Sequence, residues 1–425
     1  MSAKSMIKYS KTVLKDGLRI ISEKVPSARS ISIGVWVDVG SRDEQAHENG
    51  ISHFIEHMLF KGTKKRSAKK IASSLESLGG NINAFTSREQ TCYMAVILDE
   101  HLEQAVDVLS DILMNSTLTQ ENIEREKSVV VEEIHEIREN PSDLVHEHFS
   151  ENFWRGQPLG RSIIGTEENV LAFSRKDIVG YMKKNYRSER VVIAAAGNVS
   201  HRKLVSLVRK KFNFPKGSGN RGEDAASPSD FSKYIYTNNS AQNHICLGFP
   251  GIRFSHADRY NLLGLYTYLG SGMSSVLFQK IREEKGMAYS IYAFADFFRD
   301  NGLMGIYFGT DRQHLAEAIS TTLKELRKMK KYRLSNRKLD NIKAQIKGHL
   351  TLALESTNGR MARMGRQELL GSEYISLDKA LKDIDRIKPD QILEMARKTF
   401  VLEGMTVTSL GPGTDEDFNE VDFSV

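Results

Sequence analysis

Cysteine is almost absent from this chain, and so is any long apolar run. Only Cys92 and Cys246 occur, far apart and in stretches that read as strands. That spacing excludes a disulfide framework and a cysteine-built zinc site. Two buried small hydrophobes in a reducing compartment is the plain reading. No apolar run approaches the roughly 20 residues that a bilayer-spanning helix needs, so no membrane partner is expected. The opening Met1-Ser-Ala-Lys-Ser-Met-Ile-Lys8 lacks the apolar core of a secretory signal, and polar–apolar alternation begins soon after it. A cytoplasmic location is the expectation. An excess of one charge is missing too: 60 basic residues are offset by 54 acidic ones, leaving a net +6 that is spread along the chain. A nucleic-acid binder concentrates its excess, so no nucleic-acid partner is expected. The basic run Lys324 to Lys338 reads as a solvated helix face.

What is present is ordinary for a globular protein: 40% hydrophobic and 27% charged residues. A length of 425 residues is long for one core and suggests two domains. Residues 8–24 alternate around Asp16-Gly17, a hairpin turn signal. Ser30 to Gly40, Asn81 to Thr86, Thr91 to Leu98 and Arg190 to Gly197 read as strands. Lys69 to Leu78 reads as a helix stopped by Gly79-Gly80, and Leu102, Val106, Leu109 and Leu113 give helical spacing. Residues 216–230 are rich in Gly, Ser, Asp and Pro and lack periodicity. They read as a linker between a domain at 1–215 and another at 231–425.

The stretch His53-Phe-Ile-Glu-His57 carries the chemistry. On a helix, His53 and His57 lie four residues apart on one face, so both imidazoles can reach one ion. Glu56 lies beside that face, where a carboxylate can take a proton from water activated by a metal. This is the zinc-peptidase order H-E-x-x-H run backwards. The alternative, two half-buried histidines on an amphipathic helix, stays open until context is added. Part of that context is the Gln120 to Glu139 helix, which ends before Pro141. Glu126, Val130, Glu133 and Ile137 fall on one stripe at steps of four, three and four, while Glu132, Glu136 and Glu139 lie toward the polar side. A carboxylate on an apolar face is costly unless something positive sits opposite. A dication is one candidate, an arginine or lysine another.

The second half repeats the plan of the first. His314 to Leu326 resembles His101 to Leu113, and a Leu-Ser opening and a long helix follow, as Leu118-Thr119 and its helix do. On that register Glu133 falls opposite His349 and Glu126 opposite Ile342. Asn261, Gly264 and Leu265 stand where His53, Glu56 and His57 stand. One copy carries the candidate metal set and the other lacks it.

With Gly50-Ile-Ser-His-Phe-Ile-Glu-His-Met-Leu-Phe-Lys-Gly-Thr63, Gly79 to Thr86, Glu124 to Ile134 and Leu269 to Tyr289, the chain resembles the pitrilysin/insulinase family of zinc peptidases. The likeness is to the processing-peptidase branch and its bacterial relatives. The resemblance implies an α+β fold of two homologous domains, each an antiparallel sheet with helices on one face. It implies one Zn2+ per chain held by His53, His57 and Glu133, with Glu56 as the base. Glu126 would orient a ligating histidine. It also implies Arg282 and Tyr289 as a pair that holds the substrate backbone and stabilises the oxyanion. Asn83 and Ala84 match the edge strand on which the family lays an extended peptide. Asp143 and Glu147 match acidic positions that hold a basic substrate residue; a solvated acidic turn is the alternative.

The expected function is therefore that of a zinc metalloendopeptidase acting on unfolded segments or short peptides inside a closed chamber. Having both the metal motif and the Arg/Tyr pair in one chain favours a homodimer over a heterodimer with a related subunit. The rival reading is a non-catalytic or weakly active assembly subunit.

Overall fold

The computed structural model describes residues 8–219, 225–371 and 373–425. Residues 1–7 of the N-terminal stretch read above for targeting, and 220–224 of the linker, lie outside the described residues. Two compact units emerge. Met1–Ile134, Arg161–Glu223 and Leu352–Tyr374 form the first; His135–Gly160, Asp224–Thr351 and Ile375–Val425 form the second. Among the described residues no helix is long and apolar enough to cross a membrane.

The first unit is built on six strands: β1 (Lys8–Val13), β2 (Arg19–Lys24), β3 (Ser30–Val37), β4 (Asn81–Thr86), β5 (Thr91–Leu98) and β6 (Val191–Gly197). Their order is β1-β2-β6-β3-β5-β4. The second has β7 (Ser232–Thr237), β8 (Asn243–Pro250), β9 (Ala288–Phe297), β10 (Gly302–Thr310) and β11 (Thr406–Gly411), ordered β7-β11-β8-β10-β9. Apart from the extra β1, the two orders are the same, which is the internal duplication seen as topology. Each sheet is mixed rather than wholly antiparallel. β2 runs parallel to β6 and β7 parallel to β11, while the other pairs are antiparallel. The parallel neighbours are far apart in sequence, as a crossover through helices requires.

The helices cover both faces of the first sheet, not one. Strand alternation divides each strand between two cores. Ile33, Val35, Ile193, Ala195, Tyr93 and Ala95 face one cluster, and Trp36, Val192, Ala194, Ala196 and Cys92 the other. The first cluster is closed by helices of the first half, including Leu102–Asn115 and His201–Lys211. The second is closed by Thr357–Leu369, a helix from the far half of the sequence that brings Met361, Met364 and Leu369. Gly365 on that helix packs directly on the Trp36 indole, leaving no room for a Cβ. Trp36 Nε1 donates to Met361 Sδ at 3.2 Å. The second unit shows the converse exchange. Pro141–Phe153, from the first half, sets Val145, Phe149 and Phe153 against Cys246, Leu303 and Leu410. Burying each such side chain contributes roughly 1.5–3 kcal/mol, so each sheet depends on a helix lent by the other half of the chain.

This exchange gives a direct expectation. Met361→Ala should lower the urea-unfolding stability of the first unit by about 2–5 kcal/mol. Leu352→Ala, at a position 72% exposed, should change it by less than about 0.5 kcal/mol. Equal midpoints for the two variants would show that the exchanged helix does not support the sheet.

Candidate metal centre

The His53 helix, Ile51–Leu59, begins at Gly50, whose φ of +97° is a left-handed conformation. A Cβ there would lie 2.6 Å from the Ile164 carbonyl oxygen, so glycine is required on both counts. The free N–H groups of the first turn are taken by buried Glu44. Its Oε2 accepts from Gly50 N (2.8 Å) and Asn49 Nδ2 (3.0 Å), and its Oε1 from Ser52 N (2.8 Å). Burial pushes the Glu44 carboxyl up to about 7, with these donors pulling the other way. The helix start also favours an anion. Ser52 bonds the Tyr181 hydroxyl at 3.0 Å, and Phe54, Ile55, Met58 and Leu59 are buried. The helix is thus locked at its start and along its apolar face.

That lock aims His53 and His57 at the Gln120–Glu139 helix, where Ile123, Glu126, Val130 and Ile134 are buried. Glu132, Glu136 and Glu139 are exposed, as the stripe anticipates. Glu133 meets both rings: its Oε2 lies 3.7 Å from His53 Nε2 and its Oε1 3.6 Å from His57 Nε2. One nitrogen from each ring and one carboxylate oxygen lie within 4.8 Å of one another. These separations are too long for hydrogen bonds. The 3.6 and 3.7 Å separations, each to a different Glu133 oxygen, are a few tenths of an ångström above the ~3.3 Å edge of a tetrahedral zinc site with bonds of about 2.0–2.1 Å. The donor set therefore fits a zinc ion. The other His53 ring nitrogen, Nδ1, is buried and has no hydrogen-bond partner among the described residues.

Electrostatics sharpen the picture. Burial, helped by the adjacent His57, pushes His53 down to about 4, so this ring is a neutral donor at ordinary pH. For His57, burial pulls downward, but the Glu126 hydrogen bond and the surrounding carboxylates outweigh it and raise the pKa. Glu126 shows the matching effect. Burial would raise it, yet bonds from His57 and Lys61 hold it below the usual carboxylate range. His57 Nδ1 lies 2.9 Å from Glu126 Oε1, and Lys61 Nζ 2.8 Å from Glu126 Oε2. An ionised Glu126 accepts a hydrogen bond from His57 Nδ1–H and leaves the Nε2 lone pair facing Glu133. Burial, the largest influence on Glu56, raises its pKa; the Thr86 hydroxyl and His57 oppose that, and Glu133 adds to it. Thr86 Oγ1 donates to Glu56 Oε2 at 2.5 Å. Lys61 and Thr86 are the two contributors that reading the sequence for ligands misses. Each satisfies one carboxylate, and neither lies on a recognisable stripe.

Asn83 and Ala84 lie on β4, the edge of the sheet, which packs beside the His53 helix and carries Thr86. Arg282 and Tyr289 belong to the second unit, where they are brought together. The guanidinium stands 4.7 Å over the Tyr289 ring and 4.7 Å over Phe278. Arg282 sits in a π-helical turn, Phe278–Glu283, a local widening often found at functional sites. Tyr289 is 74% exposed. Asp143 and Glu147 lie on Pro141–Phe153, also in the second unit, and Asp143 accepts from Asn140 Nδ2 at 2.7 Å. In that unit Asn261, Gly264 and Leu265 lie buried on Arg259–Gly270. A Cβ at Gly264 would stand 3.8 Å from the Ile342 side chain. Apolar packing thus occupies the place where the first unit has Glu56 and Glu126.

Comparison with known proteins agrees with this duplication. Residues 19–167 match the model of the insulinase family, Peptidase family M16, and residues 172–346 that of the peptidase M16 inactive domain. A Bacillus subtilis protein named an uncharacterized zinc protease is 40% identical over 91% of this chain and 94% of its own length. A Streptomyces coelicolor protein so named is 37% identical over 91% of this chain and 86% of its own. Among solved structures, a Helicobacter pylori protease superposes with a TM-score of 0.88 at 22% identity, covering 95% of this chain and 100% of that one. A Pseudomonas fluorescens structure described as a peptidase M16 inactive domain gives 0.89 at 18% identity, over 96% and 99%. The two structural likenesses speak for the fold, and the sequence matches along most of its length establish that this chain belongs to the insulinase family of peptidases, family M16.

Proposed function

We propose that the chain is a zinc-dependent endopeptidase for unfolded segments or short peptides. In this reading His53, His57 and Glu133 are the metal ligands and Glu56 is the general base. The observation that carries it is the convergence of two imidazole nitrogens and one carboxylate oxygen from two packed helices. Relatives named zinc proteases support it. Three protein ligands leave a coordination position for water, which is the catalytic rather than the structural form. When bound, zinc supplies a Lewis acid that polarises the scissile carbonyl and acidifies water.

The chain's own residues divide the remaining work. Glu56, oriented by Thr86 and raised by burial, takes the proton from the attacking water and returns it to the leaving amine. Glu126, clamped by Lys61, fixes the tautomer of His57. A peptide added to β4 at Asn83 and Ala84 runs beside Glu56. Arg282 and Tyr289 present a cation and a phenol to the substrate backbone and the developing oxyanion. Asp143 and Glu147 give a mild preference for basic residues near the cut, and two copies of the chain form the working assembly. The rival, a non-catalytic assembly subunit, is weaker because the donor set is complete in the first unit.

Glu56→Gln should keep one zinc per chain and lose about 10²- to 10⁴-fold in cleavage of a quenched peptide. Zinc bound without cleavage by the unaltered chain would favour the assembly subunit instead. Mass-spectrometric mapping of the same digest reads the basic preference, and no bias for Arg or Lys would remove that role for Asp143 and Glu147. Glu126→Ala should weaken zinc binding by about 10- to 100-fold in competition with a chromophoric chelator. Unchanged affinity would show that Glu126 does not orient the ligand.

A further inference from the structure

A groove of about 750 Å³ lies on the first unit between β1 and the helix His201–Lys211, remote in sequence from every residue of the metal centre. Its walls are Thr12 from β1 and a stripe at helical spacing that includes His201, Arg202, Val205, Arg209 and Lys210; no acidic residue lines it. Among the described residues Arg202, Arg209 and Lys210 have no carboxylate partner, whereas Lys211, off the stripe, is paired to Asp107. Cations in the last turn of a helix are ordinary, because they complement its dipole. Arg202 in the first turn opposes that dipole, and no acidic residue accompanies it there. The stripe is therefore not explained by helix stability.

We propose that this groove binds an extended acidic peptide segment, laid along β1 as an additional strand. β1 ends the sheet, and among the described residues it pairs only with β2. Its outer backbone edge is thus available for strand addition. Arg202 and Arg209 stand about 10 Å apart along the helix axis. Acidic side chains on alternate residues of a strand recur every ~7 Å, about 3 Å short of that spacing, a difference that the long arginine side chains can bridge. Val205 in the lining suits an apolar side chain, not a phosphate. The Thr12 hydroxyl is already bonded to His201 Nε2 at 2.9 Å, and the other ring nitrogen to Ser22 Oγ at 2.9 Å. The inference is independent of the hydrolytic reading, since it concerns binding at another place on the unit.

The test is fluorescence anisotropy of a labelled octapeptide alternating Glu and Val, with the full-length Glu56→Gln chain so that cleavage plays no part. Saturable binding is expected, weakening as salt screens the charges. It should fall about tenfold or more in the Arg202→Glu/Arg209→Glu double variant and persist in Arg202→Lys/Arg209→Lys. Inorganic tripolyphosphate and a single-stranded oligonucleotide of matched charge should compete at least about tenfold less well. Undiminished binding by the charge-reversed variant would overturn the proposal. So would loss of binding in the lysine variant with an unchanged melting temperature, or tripolyphosphate or the oligonucleotide binding as tightly as the peptide.

Discussion

The contact between two helices, Ile51–Leu59 and Gln120–Glu139, is the constraint on which the rest of this chain depends. Two imidazoles one helical turn apart cannot by themselves complete a metal site; they need a third donor from elsewhere. On the proposed reading Glu133 is that donor, standing 3.6–3.7 Å from both rings across the contact. The Glu133 side chain is 37% exposed and lies beside Val130 and Ile134, which the same helix buries. The arrangement makes sense when a dication is the intended neighbour. The surrounding residues act to stiffen it: Glu44 caps the first helix, Glu126 and Lys61 hold His57, and Thr86 holds Glu56.

Duplication frames why, among the described residues, such a donor cluster occurs in one unit only. Both units use the same strand order, and both have a helix where His53 stands and a long helix where Glu133 stands. In the second unit, the Ile392 side chain packs against Gly264, with Ile342 next to it. One copy carries a polar pair of helices, and in the other the corresponding Asn261, Gly264, Leu265 and Ile342 are buried. The exchanged helices tie each sheet to the opposite half of the sequence. Neither half, cut at the linker, would retain the cover of its own sheet.

Much of this was legible in the residues. The β1–β2 hairpin, the two short helices and the strands of the first half follow from turn signals and alternation. Glu126 and Glu133 could be picked from a 4-3-4 stripe because a carboxylate among apolar residues breaks the pattern; Glu126 is buried, and Glu133 is part-exposed. Arg282 was different: nothing in its surroundings marked it, and only the family resemblance paired it with Tyr289, which the π-helical turn now puts under its guanidinium. What the sequence left hidden is non-local. The parallel pairs β2–β6 and β7–β11 join segments far apart in the chain. The exchange of Thr357–Leu369 and Pro141–Phe153 leaves no mark, because a helix's apolar face does not say which sheet it covers. Lys61 and Thr86 escaped for a similar reason: each meets its carboxylate only through tertiary packing.

The account stands on one ion shared by His53, His57 and Glu133. X-ray absorption at the zinc edge, on the zinc-loaded chain beside a Glu133→Ala control, measures that directly. The account predicts one zinc with two imidazole shells and oxygen ligands at about 2.0–2.2 Å, and loss of one oxygen in the control. A sulfur shell, an absent imidazole signature, or a spectrum unchanged by removing Glu133 would contradict it.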